Sequence, residues 1–514
     1  MNLPSDRRPG DRPTTLDTPE GGRRRAPDAL PSGLRDALES AGMAVTTDPD
    51  LLAGHCTDWT GRWGGPALGA VRPGTTEQVA AVLVAARSAG VPVQVQGGNT
   101  GLVGGSVPDR PALLLLTTGL DRIDPVDTLE RTVVVGAGVT AAQLASQARA
   151  AALHFGVDLA ARDSATIGGM VATNAGGIGV CAHGMMREQV RGLVAVLADG
   201  RVLSTVGRPR KDNCGLDLAA LVGGSEGTLG VITEVEIALH PAPAPSSVAL
   251  VAVGDLAEAV RCARRVQSGH APLLAAEVVD PQGVARAAVA LGLPNPLPER
   301  AGWMLLLEVA DGATGVGLEP VAEQVVALGT DPAARMRLWG LRERQTELYA
   351  TQPHLQKLDV SVRLADLDAV VAVIREMVAD APGWRGAGGG VADVSVPEAQ
   401  LERSGGAGAG VRGSSPPAEV GEPERPWVGF FGHALDGNLH VQLVGADGAT
   451  ADRVLESVAA LGGSISAEHG IGRAKVGQLH LARSAAQIDW MRRIKATVDP
   501  DGLLNPGVLL AAED

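Results

Sequence analysis

Five glycines within nine residues, Gly97, Gly98, Gly101, Gly104 and Gly105 of QGGNTGLVGGSVPD (96–109), constrain this chain more than any other stretch. The segment directly follows VPVQV (91–95), which reads as a strand. Lacking Cβ atoms, these positions can take left-handed conformations and let backbone N–H groups approach a ligand closely. Successive amides exposed in this way form an anion nest suited to a pyrophosphate. Asn99, Thr100 and Ser106 add side-chain donors. A turn-rich surface loop explains one or two glycines but not five so close together, so the stretch predicts a nucleotide-binding loop.

The flanking pattern is that of a layered α/β fold. EQVAAVLVAARSAG (77–90) has a helical period and ends on glycine, a common helix stop. ALLLL (112–116) reads as a strand, and TVVV (132–135) runs into the helical TAAQLASQARAAA. Such alternation continues to about residue 240, where PAPAP (241–245) punctuates it. A second block, 246–385, has patterns of its own, such as WMLLLEV (303–309) and LDAVVAVIREMV (367–378). Residues 386–426 are rich in Gly, Pro and Ser and read as a flexible surface insertion. Ordered sequence resumes at WVGFFGHALDGNLHVQLV.

At 514 residues the chain is too long for one core and implies two or three domains. Hydrophobic residues make up 45% and aromatics only 2%, so the cores must be built from Ala, Val and Leu. The net charge of −14 argues against nucleic acid or an anionic membrane as partner. Cys56, Cys181, Cys214 and Cys262 share no CxxC spacing and read as free thiols of a reducing compartment, so a cytoplasmic location is expected. No apolar run approaches the roughly 18 residues that suggest a membrane span. Residues 1–30, rich in Arg and Pro without an apolar core, read as a disordered tail rather than a secretory signal.

Two signals compete for the nucleotide. GAGVTA (136–141) fits G-x-G-x-x-A between a strand and a helix, with Asp158 about where a ribose-binding acid would stand, and alone would suggest a nicotinamide cofactor. The motif is short, and a tight strand-to-helix turn explains it as well. Against it stand DSATIGGMVATNAGG (163–177) and GGSEGTLGVITEVEI (223–237). Together with the first loop they resemble the FAD domain of the vanillyl-alcohol-oxidase type flavoproteins, and PDGLLNPG (500–507) is similar to that family's closing segment. The resemblance covers roughly 40–240 and returns at the C-terminus.

It implies an α+β / α/β fold: a tail over 1–30, an FAD-binding domain over 31–240, a cap domain over 241–465 carrying the 386–426 insertion, and a segment over 466–514 that completes the active site. It implies FAD contacts from Gln96, Gly97, Gly98, Asn99, Thr100, Gly101, Gly104, Gly105 and Ser106 in the first loop. The second segment would contribute Ser164, Thr166, Gly168, Gly169, Asn174 and Gly177, the third Glu226, Gly227, Gly230 and Ile232, and the closing segment Asn505. Many members attach flavin through a histidine of the first loop. No histidine lies between 91 and 110, so FAD is expected to be non-covalent.

GHALDGNLHV (432–441) and SAEHG (466–470) resemble the paired motifs of the D-2-hydroxyacid dehydrogenase branch, whose members act on D-2-hydroxyglutarate, D-lactate or glycolate. That resemblance implies a divalent metal on His433, His440 and Glu468, and His469 as general base. The chemistry is sound on its own terms: two neutral imidazoles and one carboxylate leave open positions, as catalytic Zn²⁺ requires. A substrate 2-hydroxyl and carboxylate could fill them, with His469 taking the hydroxyl proton. Asp436 and Asn438 read as turn residues. Two departures stand out. Leu435 occupies a usual glycine position, and Gln442 stands where dicarboxylate-specific relatives have asparagine.

LRERQTELYATQPHLQKLDVSV (341–362) is similar to the branch's carboxylate-recognition segment, with Arg342, Thr346 and Lys357 in the places that grip a distal carboxylate. An arginine fork with a lysine and a hydroxyl is a workable clamp, and Arg342 and Thr346 are spaced to share a helix face. Three readings follow: an FAD- and metal-dependent D-2-hydroxyacid dehydrogenase, favouring D-2-hydroxyglutarate or a similar dicarboxylate over D-lactate or glycolate; a nicotinamide-dependent dehydrogenase; and a non-catalytic flavin subunit of a larger complex. The first needs an external electron acceptor, such as an electron-transfer flavoprotein or a quinone. It is compatible with a homodimer.

Overall fold

The computed structural model describes residues 29–352, 354–381 and 426–511. The expected tail, but for its last two residues, and the expected flexible insertion, but for Pro426, lie outside the described residues.

Local chemistry accounts for the elements near the first glycine loop. The helix Thr76–Ala89 starts where the Thr75 side chain accepts from the Gln78 amide, and ends at Gly90, whose φ of 65° is left-handed. Val79, Val82, Leu83 and Ala86 recur on one buried face. They pack on a four-stranded sheet ordered Val45–Thr46, Ala67–Val71, Ala112–Leu116, Val93–Gln96. Its last three strands are parallel. The closing segment returns to this sheet, with the Val93 amide donating to Leu503 O (2.8 Å) and the Asn505 amide to Val93 O (2.9 Å).

The α/β alternation does not continue as one parallel sheet. Thr132–Gly136, Val231–Ala238, Val190–Val196 and Val202–Ser204 form a separate antiparallel sheet. GAGVTA therefore ends an antiparallel strand. Its Thr140 caps the helix Ala141–Ala150 in a capping box with Gln143, and Asp158 is ion-paired with Arg162 (3.0 Å). The nicotinamide reading lacks the parallel βαβ crevice it needs.

The second block is one seven-stranded antiparallel sheet, ordered Val325–Gly329, Ser247–Val253, Trp303–Val309, Leu273–Val279, Trp427–His433, Asn438–Val444, Leu355–Ser361. Leu358, Val360, Phe430, Leu439, Val441 and Leu443 face one side, buried under the helices Leu256–Gln267, Leu367–Ala379 and Gly448–Ala460. Val279, Met304, Leu306, Phe431 and Val444 face the other, under the helices Pro281–Ala290, Pro332–Glu343 and Gln345–Ala350. Glu277, Lys357, Asp359, His433, His440 and Gln442 lie on this second face.

Candidate active site

Strand alternation assembles the site, since residues two apart share a face. His440 and Gln442 lie on the side of Val444, His433 on the side of Phe431, Lys357 and Asp359 on the side of Leu355, and Glu277 on the side of Val279. Register then sets Glu277 opposite His433, His440 between Phe431 and Asp359, and Gln442 beside Lys357.

The turn between the two histidine strands is built by Asp436 and Gly437. Asp436 Oδ1 accepts from the Asn438 amide (3.0 Å). Gly437 has φ 79°, and a Cβ there would fall 2.0 Å from the Val362 carbonyl oxygen. Leu435 has no positive φ and packs against the apolar core, so its departure from glycine leaves the turn intact.

Asp359 folds the second motif over this face. Its Oδ2 accepts the amides of Glu468 (2.8 Å) and His469 (3.0 Å). Glu468 then lies 3.3 Å from His433 Nε2 and 4.0 Å from His440 Nε2. The donor atoms of His433, His440 and Glu468 lie within 4.8 Å of one another, and so do those of Asp359, His440 and His469. The first set suits a cation better. Asp359 already accepts from Asn438 Nδ2 (2.7 Å) as well as from two amides, whereas Glu468 meets only imidazoles.

Both ring orientations are held from behind, the usual arrangement for imidazoles that present Nε2 to a metal. Glu277, fully buried, binds His433 Nδ1 (2.6 Å) with one oxygen and Arg342 Nε (2.6 Å) with the other. Asp359 faces the Nδ1 atoms of His440 and His469, each at 3.5 Å. Burial alone would depress His433, but the charge and hydrogen bond of Glu277, joined by Glu468, outweigh it and hold the imidazole well above its usual range. Burial dominates at His440, pushing it down to about 4 despite Asp359 and Glu468. Burial opposes the charged form of Glu468, yet its contacts with His433 and His440 keep the carboxyl below its ordinary value.

The carboxylate-recognition residues are arranged differently from a single helical face. The helix carrying Arg342 ends at Glu343 and another runs Gln345–Ala350, so Arg342 is buried while Thr346 is exposed. Arg342 gives its Nε to Glu277 and lays its guanidinium over the Phe431 ring (4.6 Å), which leaves only the Nη edge for a ligand. Lys357 is half-buried, with Nζ 5.5 Å from the Trp59 ring.

The glycine segments meet beside this face. A Cβ at Gly97 would fall 2.4 Å from Thr166 Oγ1, and one at Gly98 1.8 Å from the Ser164 carbonyl oxygen, so the first two segments touch only because both are glycine. Gly168 packs equally closely on Ala137 and Gly177 on the Asp158 carbonyl. Gly101 faces open space, and Gly104 abuts Trp63. Gly105 lies near Glu226, and Gly230 near the Val196 carbonyl. Gln96 donates to His55 O (2.9 Å) and Ser106 O (3.0 Å), and the Asn99 side chain binds Thr57 O (2.9 Å) and Ser106 Oγ (2.7 Å). Asn174 takes a left-handed φ of 51° and accepts from the Arg187 amide (2.9 Å). Thr100 is partly exposed at the head of the loop and Ile232 is buried in its strand.

The side chains of two expected flavin residues also brace the C-terminal segment. The Glu226 carboxylate accepts the amides of Ile471 (2.8 Å) and Gly472 (2.7 Å), bracing the second histidine motif. Asn505 spans Val95 N (2.8 Å) and Glu226 O (2.8 Å), which uses both ends of its amide. The same packing brings Glu468 against Gly176, where a Cβ would lie 2.4 Å from its Oε1. The donor set therefore abuts the second glycine segment.

Residues 242–509 match the model of the FAD linked oxidases, C-terminal domain, and 67–205 match an FAD binding domain. The chain is 33% identical over 484 residues to the mitochondrial D-2-hydroxyglutarate dehydrogenase of Bos taurus, spanning 91% of this chain and 81% of the relative. The chain belongs to the FAD-linked oxidases. Another member of that family, the D-2-hydroxyglutarate dehydrogenase of Xanthomonas citri pv. viticola, is 33% identical over 92% of this chain and 95% of its own. The FAD-linked oxidase fold is also shared with p-cresol methylhydroxylase, at 15% identity and a TM-score of 0.68 over 94% of this chain and 97% of that one. Alkyldihydroxyacetonephosphate synthase has it too, at 15% identity and 0.66 over 96% and 87%. It is the vanillyl-alcohol-oxidase type of fold, and this FAD-linked oxidase is an oxidoreductase with FAD as its cofactor.

The residues present fit that cofactor. Thr166 Oγ1 is buried without a partner among the described residues, and it lies where a Cβ on Gly97 or Gly169 would approach it. That leaves a donor and a glycine-lined approach for a phosphate. The donor set of His433, His440 and Glu468 likewise fits a divalent cation. Sequence reasoning missed Glu277, Asp359 and Arg473. Arg473 binds Gly104 O (2.7 Å), Gln94 Oε1 (2.9 Å) and Pro506 O (3.0 Å), tying the histidine motif to the first loop. Glu277 and Asp359 could have been found as lone carboxylates in apolar, alternating strands. No helix among the described residues is long and apolar enough to cross a membrane.

Proposed function

We propose that this FAD-linked oxidase converts a D-2-hydroxyacid, a dicarboxylate of the D-2-hydroxyglutarate kind, to its 2-oxoacid. The observation that carries this reading is the convergence of His433, His440 and Glu468 within 4.8 Å, beside His469 and against the second glycine segment. When bound, FAD supplies the hydride acceptor, and a divalent cation, Zn²⁺ by its ligand set, supplies Lewis acidity. His433 and His440 present Nε2 because Glu277 and Asp359 face their Nδ1 atoms. His469, with Nδ1 turned to Asp359 and no partner of Nε2 among the described residues, is placed to take the substrate's 2-hydroxyl proton through Nε2. Arg342 through its Nη edge, Lys357 and Gln442 then meet the far carboxylate, and Thr346, exposed on the following helix, is left out of the clamp. Gln442 can meet that carboxylate only through its Nε2 donors, since its Oε1, buried without a partner among the described residues, is an acceptor.

The similarity to two D-2-hydroxyglutarate dehydrogenases over most of the chain supports this substrate class. We assign 31–240 to FAD binding, 241–465 to the cap and 466–514 to completing the site. Electrons leave to an external acceptor. The free thiols Cys56, Cys181, Cys214 and Cys262 accord with a cytoplasmic setting.

Exhaustive chelation should remove turnover and leave the yellow colour, because the donor set and the glycine segments are separate residues. Elemental analysis should find about one divalent ion per FAD. Full activity after chelation would end the metal assignment. Acid precipitation should release FAD to the supernatant. Colour retained in the pellet would mean a covalent link, with His55, its Nδ1 2.5 Å from Gln96 Oε1, the imidazole to test. Anaerobic bleaching with D- and L-2-hydroxyacids separates the dicarboxylate reading from D-lactate or glycolate. Turnover of the isolated chain with a dye acceptor excludes a non-catalytic subunit.

A further inference from the structure

We propose that Arg62, from the FAD-binding half, is a specificity residue that closes on the substrate's far carboxylate opposite Lys357, with Trp59 as the wall between them. The inference rests on the dicarboxylate reading and adds a residue that neither the sequence motifs nor the cap sheet supplies.

Lys357 lies next to Gln442 on the polar face of the cap sheet, one pair along from Asp359 and His440. Among the described residues its Nζ has no carboxylate in ion-pair range and no hydrogen-bond acceptor. Its neighbour across the gap is the indole of Trp59 at 5.5 Å, a side chain 57% exposed. Arg62 stands on the same loop, exposed, and among the described residues its guanidinium makes one weak contact, Nε to Thr60 Oγ1 at 3.4 Å. Burial first, and then the charge of Arg62, hold the Lys357 ammonium below its usual range. Two like charges set near each other without counter-ions raise the energy of the empty site, and an anion between them would lower it.

The loop is built to hold its position. Buried Asp58 accepts from Thr60 Oγ1 (2.8 Å) and from the amides of Arg62 (3.2 Å) and Trp63 (3.3 Å), and its own amide donates to Trp63 O (2.9 Å). Thr57 O is moored to the Asn99 side chain (2.9 Å), and Trp63 packs on Gly104, so the loop is fixed to the first glycine segment. A diacid whose C2 end lies at His469 would thus reach a cation from each half of the molecule, its methylene carbons against Trp59. A monocarboxylate would reach neither.

The test uses the FAD-loaded full chain and the variants Arg62→Ala and Arg62→Lys, with flavin content and Tm measured as folding checks. In anaerobic flavin reduction, Arg62→Ala should lose at least about tenfold more kcat/KM on D-2-hydroxyglutarate than on D-lactate, mainly through KM, and Arg62→Lys should recover most of it. Equal losses on both substrates, or none, would overturn the proposal. Glutarate, which has no 2-hydroxyl, gives a second readout as a competitive inhibitor. Its affinity should fall about tenfold in Arg62→Ala. A wild type that prefers D-lactate, yet binds glutarate through Arg62, would retain this anion site and refute the dicarboxylate substrate. Glutarate affinity indifferent to Arg62 would refute the anion site whatever the substrate.

Discussion

Changing Glu468 to glutamine is expected to lower kcat by roughly a thousandfold, about 4 kcal/mol of barrier, with FAD still bound. Among the described residues, Glu468 is the one carboxylate facing both His433 Nε2 and His440 Nε2. Glutamine keeps its length and shape, so the tight approach to Gly176 survives, as does the amide bond to Asp359 Oδ2. What is lost is the only negative charge of the three-donor set. A cation held by two neutral imidazoles and an amide binds more weakly and is less neutralised. Metal content should therefore fall with activity while the flavin spectrum stays. Turnover within about threefold of wild type with the metal retained would remove Glu468 from the donor set.

The parts of this site legible in sequence are those written in local chemistry. Gly97 and Gly98 of the first loop must be glycine because Thr166 and Ser164 come within contact distance, and such clustering shows in a single chain. In NLHVQLV the two-residue alternation already puts His440 and Gln442 on one side and Leu439, Val441 and Leu443 on the other. The supports were not legible, because they depend on register between distant strands. Glu277 becomes a partner of His433 only when Leu273–Val279 pairs with Trp427–His433, and Asp359 of His440 only when Leu355–Ser361 pairs with Asn438–Val444. Helical spacing also misled. Arg342 and Thr346 lie four apart, but the helix breaks between them, so one is buried and the other exposed. Glu226 and Asn505 sit in flavin-type motifs, yet their side chains brace the backbone of the C-terminal segment.

Arg342→Ala separates the two roles that the structure gives this side chain. One is the pair with Glu277, which holds His433 Nδ1. The other is the free Nη edge, proposed to meet the far carboxylate. Loss of a residue behind a metal ligand costs about 10- to 100-fold in activity or metal affinity, and that loss must appear with every substrate. Loss of a charged hydrogen bond costs about 1.5–3 kcal/mol, roughly a further 10- to 150-fold, and only a diacid can suffer it. D-2-hydroxyglutarate oxidation should therefore fall about 10²- to 10⁴-fold, and D-lactate oxidation only about 10- to 100-fold. Removing one partner of a buried pair should also lower stability by about 3–5 kcal/mol, read as a lower Tm. Glu277→Gln should reproduce the shared loss without the diacid-specific one. Equal losses on both substrates in Arg342→Ala would confine Arg342 to supporting Glu277. Recognition of the far carboxylate would then fall to Lys357 and the loop that faces it.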